Sequence, residues 1–192
     1  MLFRSNIVAG TGSIAFGKNE DGETARSGGW SEWFGDEGSG YWLGVKCVQL
    51  FSRQSDGRDE KGPLYHIVRE ALNLSDDMDI VDLYEAKYLH KRDNIASLQR
   101  LLLQAANEGD AYAIEAYAQA AKELYDIVCG VKKQIFADKD CIVSCSGGIF
   151  KTGDVIRKPF VKLLESNGMK LTESKAEPYV GAVLLAKYYE NR

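Results

Sequence analysis

No CxxC pair occurs among the four cysteines (Cys47, Cys129, Cys141 and Cys145), and His66 and His90 are the only imidazoles in 192 residues. That donor set is too sparse and wrongly spaced for structural zinc, and unpaired thiols fit a reducing compartment. Both histidines sit singly among polar neighbours on helical patterns, so neither is assigned a role. The acidic cluster Asp76, Asp77, Asp79 and Asp82 lacks calcium-loop spacing and reads as a solvated helix start. No run approaches the roughly 18 uncharged apolar residues of a membrane helix, and the first ten residues lack a signal-peptide core. A cytoplasmic location is expected. Positive charge is short too: 24 Lys and Arg against 28 Asp and Glu leave a net charge of -4. Neither nucleic acid nor an anionic membrane is therefore an expected partner, and any phosphate must be held locally.

Glycine is plentiful and unevenly placed. Nine of the 19 glycines fall between Gly10 and Gly40, where the backbone must turn sharply or approach something closely. Residues 3–9 and 13–18 read as strands separated by Gly10, Thr11 and Gly12, and a third strand over Glu23–Ser27 follows the Asp21-Gly22 turn. After the loop 28–38 the periodicity becomes helical and stays so for about ninety residues. Pro63 opens one helix, Asp79–Leu89 forms another, and Ile95, Leu98, Leu101, Leu102 and Ala105 mark a third stripe. The longest helix follows Gly109-Asp110, its apolar face running from Ala113 through Tyr117, Ala120, Leu124, Val128 and Val131 to Ile135. A buried strand Cys141–Ser146, a helix Asp154–Asn167 closed by Gly168, a strand Met169–Thr172 and a last helix from Pro178 through Ala182, Leu185 and Tyr188 complete the order. A three-stranded meander followed by βα units predicts an α/β fold of ribonuclease H-like, actin-type ATPase pattern, with a mixed sheet and a helical insertion over about 60–110.

Three constellations could carry chemistry. Ala9-Gly10-Thr11-Gly12-Ser13 joins two strands, and its glycines let main-chain amides converge on an anion; no Lys-Ser or Lys-Thr pair follows, so it is not a Walker A loop. An ordinary tight hairpin would look the same. The segment from Gly28 to Trp42 packs three tryptophans, five glycines and the acids Glu32, Asp36 and Glu37 into fifteen residues. A carboxylate that accepts hydroxyl hydrogen bonds beside flat apolar platforms is the chemistry of a sugar site. Asp36 could equally cap the helix that starts near Ser39, with the tryptophans in the core. The third, Ser144 to Thr152, lies between a buried strand and a helix, the usual ligand position in an open α/β sheet, though its glycines could serve only strand-to-helix packing.

Together the hairpin, the Gly28–Trp42 loop, the Gly147-Gly148-Ile149-Phe150 turn and the late Glu177-to-Ala186 helix resemble the C-terminal domain of N-acetylglucosamine kinases and the related BadF-type ATPases. The resemblance covers essentially the whole chain. It implies two similar actin-like domains with ATP and magnesium in the cleft and transfer of the γ-phosphate to an amino sugar. It further implies that Gly10, Thr11 and Gly12 form a phosphate hairpin, that Gly148, Thr152 and Ala96 border the adenosine, and that Gly29, Trp30, Ser31 and Asp36 face the sugar. Ser31 stands where these kinases commonly carry glycine, which leaves the sugar open. Related dehydratase activators hold an iron–sulfur cluster on cysteines, one close to the hairpin; here Cys47 is the first cysteine, so the kinase branch is preferred.

Residues 1–19 contain no acid and no histidine, so the catalytic base is expected from an N-terminal domain that this chain lacks. The chain alone should then be inactive, and the face left open should favour self-association. A non-catalytic binding or regulatory module of the same fold is the competing expectation.

Overall fold

Alternation of buried and exposed side chains builds the sheet. In β1 (Phe3–Ala9) and β2 (Ser13–Lys18), Ser5, Ile7, Ala9, Ser13 and Ala15 point to one buried face, while Ile14 and Phe16 point away. The computed structural model describes residues 3–136 and 141–173, with the single positions Val180, Val183 and Lys187. β3 (Thr24–Gly28) pairs antiparallel with β2; β4 (Cys141–Ser146) pairs parallel with β1, and β5 (Met169–Thr172) parallel with β4. The order is β3-β2-β1-β4-β5, with β2 alone running against the other described strands. That topology and the mixed sheet are the actin-like ATPase fold the sequence predicts.

Helices α1 (Gly40–Ser55), α2 (Pro63–Leu72), α3 (Asp79–Lys87), α4 (Arg92–Ser97), α5 (Gln99–Asn107) and α6 (Ala111–Ile135) lie between β3 and β4, and α7 (Asp154–Glu165) lies between β4 and β5. With 25 residues α6 is about 37 Å long, and it crosses β1, β2 and β3 before packing on α7. Its buried stripe of Ala113, Tyr117, Ala120, Leu124, Val128 and Val131 meets Ile7 and Ala15 of the sheet in one continuous core. Each fully buried large side chain in that core contributes about 1.5–3 kcal/mol.

The helical block is attached by a buried polar pair. Asp110 caps α6 by accepting from Ala113 N at 3.0 Å, and its other oxygen accepts from Leu64 N at 3.0 Å and from Gln54 Nε2 at 3.3 Å. Gln54 Oε1 in turn accepts the amides of Gly62 and Tyr65. The first turn of α2 is thus satisfied by side chains from α1 and from the start of α6, a buried network with a partner for each group named.

Some boundaries differ from the sequence expectation. The stripe 95–105 is two helices, because Ser97 Oγ donates to Asn94 O at 2.6 Å and Leu98 N turns to Ile95 O at 3.0 Å, tightening the turn. The helix from Asp154 ends at Glu165, and residues 166–168 form a turn that reaches the left-handed region at Gly168. The helices α2–α5 span 63–107, inside the expected insertion. The helix expected from Pro178 lies outside the described residues, apart from Val180, Val183 and Lys187, which are helical.

Candidate functional site

β1 and β4 run parallel and end side by side, with Val8 opposite Ser146. Beyond these carboxyl ends opens a cavity of about 440 Å³, bordered by Gly10, Thr11, Gly40, Gly148 and Ile149 on the sheet side. Asp93, Ala96, Ser97, Gln99 and Arg100, from α4 and α5, form the opposite wall. An open α/β sheet places ligands at this end of its strands.

The hairpin between β1 and β2 is held from behind. Gly10 N donates to Gly12 O at 2.9 Å, while Gly40 N and Tyr41 N, the first amides of α1, donate to the carbonyls of Gly10 and Thr11 at 2.8 and 3.1 Å. Those carbonyls therefore face α1. The described peptide bonds are trans, so the amides of Thr11 and Gly12, on the same two peptide planes, point the opposite way. Two aligned donors on a glycine-flanked turn suit a phosphate oxygen.

Gly147 and Gly148 divide two jobs that the sequence left open. A Cβ on Gly147 would stand 2.2 Å from Ala9 O, so this residue lets β4 close against β1. A Cβ on Gly148 would meet nothing within 4 Å, so this residue leaves room at the cavity wall.

The Gly28–Trp42 loop folds beneath the hairpin and is pinned by Ser13. Ser13 N donates to Asp36 Oδ1 at 3.0 Å, Ser13 Oγ donates to Glu37 O at 2.7 Å, and Ser13 O accepts from Gly29 N at 2.9 Å. Asp36 is 3% exposed and adopts a left-handed backbone, φ 57°. Its second oxygen is paired with Arg92 Nη2. The helix cap is supplied by Ser39, whose hydroxyl accepts from Trp42 N at 3.3 Å, so the Asp36 side chain is free of the capping role. Glu32 Oε2 accepts from Ser31 Oγ at 3.1 Å and lies 3.7 Å from Arg92 Nε. A hydrogen bond from its own backbone amide, with Ser31 and the Arg92 charge, holds the Glu32 carboxyl below the ordinary carboxylate range despite some desolvation. Trp30, Trp33 and Phe34 are 60%, 70% and 74% exposed, and the Arg26 guanidinium lies over the Trp30 ring at 4.8 Å.

Of the sequence-predicted residues, Gly10, Thr11, Ala96 and Gly148 border one cavity. Thr152 is not among its lining residues; its hydroxyl donates to Ile149 O at 2.7 Å and closes the single 3-10 turn Ile149–Lys151. Gly12 lies over the Asp36–Arg92 pair, and Gly29, Trp30 and Ser31 lie on the loop beside it. Sequence reasoning missed Ser13, Arg92 and Asp93. Ser13 was in view within the hairpin motif; nothing near Arg92 in the chain signals that α4 returns to a hairpin eighty positions earlier. Among the described residues no three His, Cys, Asp or Glu side chains are grouped to hold a metal ion. The four cysteines are thiols, and no described helix is long and apolar enough to cross a membrane.

A mixed 3-2-1-4-5 sheet with a glycine hairpin and a glycine turn closing on one cavity defines an actin-like ATPase domain. The chain belongs to the BadF/BadG/BcrA/BcrD ATPase family, whose profile matches residues 6–186. It is 32% identical over 184 residues to an N-acetylmuramic acid/N-acetylglucosamine kinase of Clostridium acetobutylicum, covering 94% of this chain and 60% of that protein. It is 30% identical over 192 residues to an N-acetyl-D-glucosamine kinase of Dictyostelium discoideum, covering 96% and 59%. Among solved structures, a proposed N-acetylglucosamine kinase from Chromobacterium violaceum superimposes with a TM-score of 0.78 at 27% identity, covering 95% of this chain and 59% of that one. The chain spans about three fifths of the length of these relatives.

Proposed function

We propose that this chain is the C-terminal, nucleotide- and sugar-holding domain of an ATP-dependent amino-sugar kinase. The observation that carries the reading is the convergence of Gly10, Thr11, Ala96 and Gly148 on one cavity at the strand ends, with the buried carboxylate of Asp36 directly behind the same hairpin. In this reading the Thr11 and Gly12 amides hold a phosphate, and the space at Gly148 and Ala96 admits a flat base against backbone. The exposed Trp30 and Trp33 offer the apolar platform a pyranose face needs. The relatives named as N-acetylglucosamine kinases favour an N-acetylated amino sugar as acceptor. Magnesium would arrive with the nucleotide, on phosphate oxygens and water, since such sites use few protein ligands. The base that takes the acceptor's hydroxyl proton, and the other phosphate hairpin, belong in this reading to a second domain.

Two measurements test the reading separately. Isothermal titration of the chain with ATP should give saturable heat; none would refute the nucleotide site. A coupled ADP-release assay with N-acetylglucosamine should give no turnover from the chain alone. Turnover at an ordinary kinase rate would refute the assignment of the base to a second domain.

A further inference from the structure

Two neighbouring residues of one short helix reach both parts of the site. At the start of α4, Asp93 Oδ1 accepts from Thr11 Oγ1 at 3.1 Å, on the cavity. Arg92 pairs with Asp36, which also holds Ser13 N at the root of the same hairpin. Arg92 Nε is buried without a hydrogen-bond partner among the described residues, 3.7 Å from Glu32 Oε2 on the tryptophan loop. The helix is seated firmly at its other end, where Ile95 is buried and its carbonyl would lie 1.9 Å from a Cβ on Gly44 of α1.

We propose that Arg92 and Asp93 act together as positioning residues that couple the phosphate hairpin to the tryptophan–acid loop, so that an anion bound at Thr11 is felt at Trp30 and Trp33. This rests on the nucleotide site proposed above. The Thr11 hydroxyl has one proton to donate, and Asp93 takes it in this structure. A nucleotide phosphate at the hairpin wants that donor and repels the Asp93 carboxylate, so Asp93 must yield. In this proposal the movement passes through the shared peptide to Arg92, which joins α4 to Asp36 and Glu32. Arg92 Nε has a proton to donate and Glu32 Oε2 lies 3.7 Å away, so a small shift of the guanidinium brings Glu32 or a ligand oxygen within its reach. The two sites then share a coupling free energy, and the coupling must run both ways.

The test uses the chain with Trp42→Phe, which leaves Trp30 and Trp33 as the only indole emitters of its three tryptophans. MgATP should change their emission saturably, with a midpoint equal to the calorimetric Kd. Asp93→Asn should bind MgATP roughly fivefold tighter, because one like charge leaves the phosphate site, and should lose the emission change. Arg92→Gln should bind MgATP yet also lose the emission change, and Arg92→Lys should restore part of it. Circular dichroism confirms that each variant is folded, and exposed Asp93 keeps the test usable if Arg92→Gln unfolds. Heat of binding with no emission change in the parent would overturn the coupling alone. No heat at all would overturn the nucleotide site and the coupling with it. Weaker MgATP binding by Asp93→Asn would make Asp93 a magnesium ligand, and an unaltered emission change in both variants would show that α4 carries no signal; either overturns the proposal.

Discussion

Adjacent glycines after β4 should respond to the same substitution in opposite ways. Gly147 has φ 100°, and a Cβ there would lie 2.2 Å from Ala9 O, 2.6 Å from Ala9 C and 3.0 Å from Ala9 N. All three are backbone atoms of the central strand, so no side chain can swing aside. The left-handed conformation costs an alanine about 1–2 kcal/mol, and forced overpacking typically about 1–3 kcal/mol. Reduced freedom of the unfolded chain returns about 0.4–1 kcal/mol. Gly147→Ala should therefore lose about 1–5 kcal/mol, with a central value of about 3 kcal/mol, or roughly 6–12 °C of Tm for a domain of this size. Gly148 instead has φ -65° and ψ -30°, which alanine favours, and open space around its Cβ position. Gly148→Ala should match or slightly exceed the parent in stability while weakening ATP roughly tenfold, because the new methyl stands on the cavity wall. Urea unfolding followed by circular dichroism gives the first quantity, and calorimetric titration of the same samples the second. A Gly147→Ala protein within about 0.5 kcal/mol of the parent would refute the close-approach argument. Unchanged ATP affinity in Gly148→Ala would remove Gly148 from the proposed nucleotide site.

Three further perturbations follow from contacts elsewhere. Gly44→Ala would put a methyl 1.9 Å from Ile95 O and should cost more than about 3 kcal/mol by prising α4 from α1; an unshifted thermal midpoint would refute that packing. Burial raises the Asp77 carboxyl, but hydrogen bonds from Ser55 and Tyr65 and the Arg69 charge outweigh it and hold it below the ordinary range. Its stabilisation is then complete above the unfolded value near 4 and is lost as pH falls through the lower folded value. The parent should lose more stability than Asp77→Asn between pH 6 and pH 3, and equal losses in urea midpoints would refute the assignment. Ser31 sits at φ 93°, which favours glycine, so Ser31→Gly should be within about 1 kcal/mol of the parent or more stable. Ser31→Ala keeps the strain and loses the bond to Glu32, so it should be the less stable of the two by chemical denaturation.

Elements with a local signature were legible in the chain and those set by distant partners were not. Glycines mark the end of β1 (Gly10), the start of β2 (Gly12), the end of β4 (Gly147) and the start of β5 (Gly168), and the α6 stripe follows from unbroken 3.6-residue spacing. The break at Leu98 was hidden because the apolar stripe runs through it unchanged; a single hydroxyl, Ser97, competes for the carbonyl that would continue the helix. The ring of Gly10, Thr11, Ala96 and Gly148 came from resemblance, since no periodicity relates positions 10, 96 and 148. Arg92 and Asp93 were invisible for the same reason. Nothing in the triplet Lys91-Arg92-Asp93 before a leucine-rich stripe signals that the fold brings it to the hairpin.

The pairing of Asp36 with Arg92 bears on what a hydroxyl-bearing ligand would meet at the loop. A carboxylate offers about four acceptor positions, and Ser13 N and Arg92 Nη2 occupy one on each oxygen. Two remain, already oriented by a backbone amide that is part of the sheet hairpin. The desolvation of a residue only 3% exposed is thus met within the protein, before any ligand binds. Removing Arg92 would leave that burial uncompensated, whereas removing Asp36 would free Ser13 N and let the hairpin relax. The two substitutions should therefore not be equivalent: loss of Asp36 disturbs the hairpin and the loop together, and loss of Arg92 leaves the hairpin bond intact while freeing the carboxylate to move. An arrangement in which the acceptor is fixed first and a ligand adds to it is preorganisation, and in the proposed site it makes Arg92 part of the framework without touching the ligand.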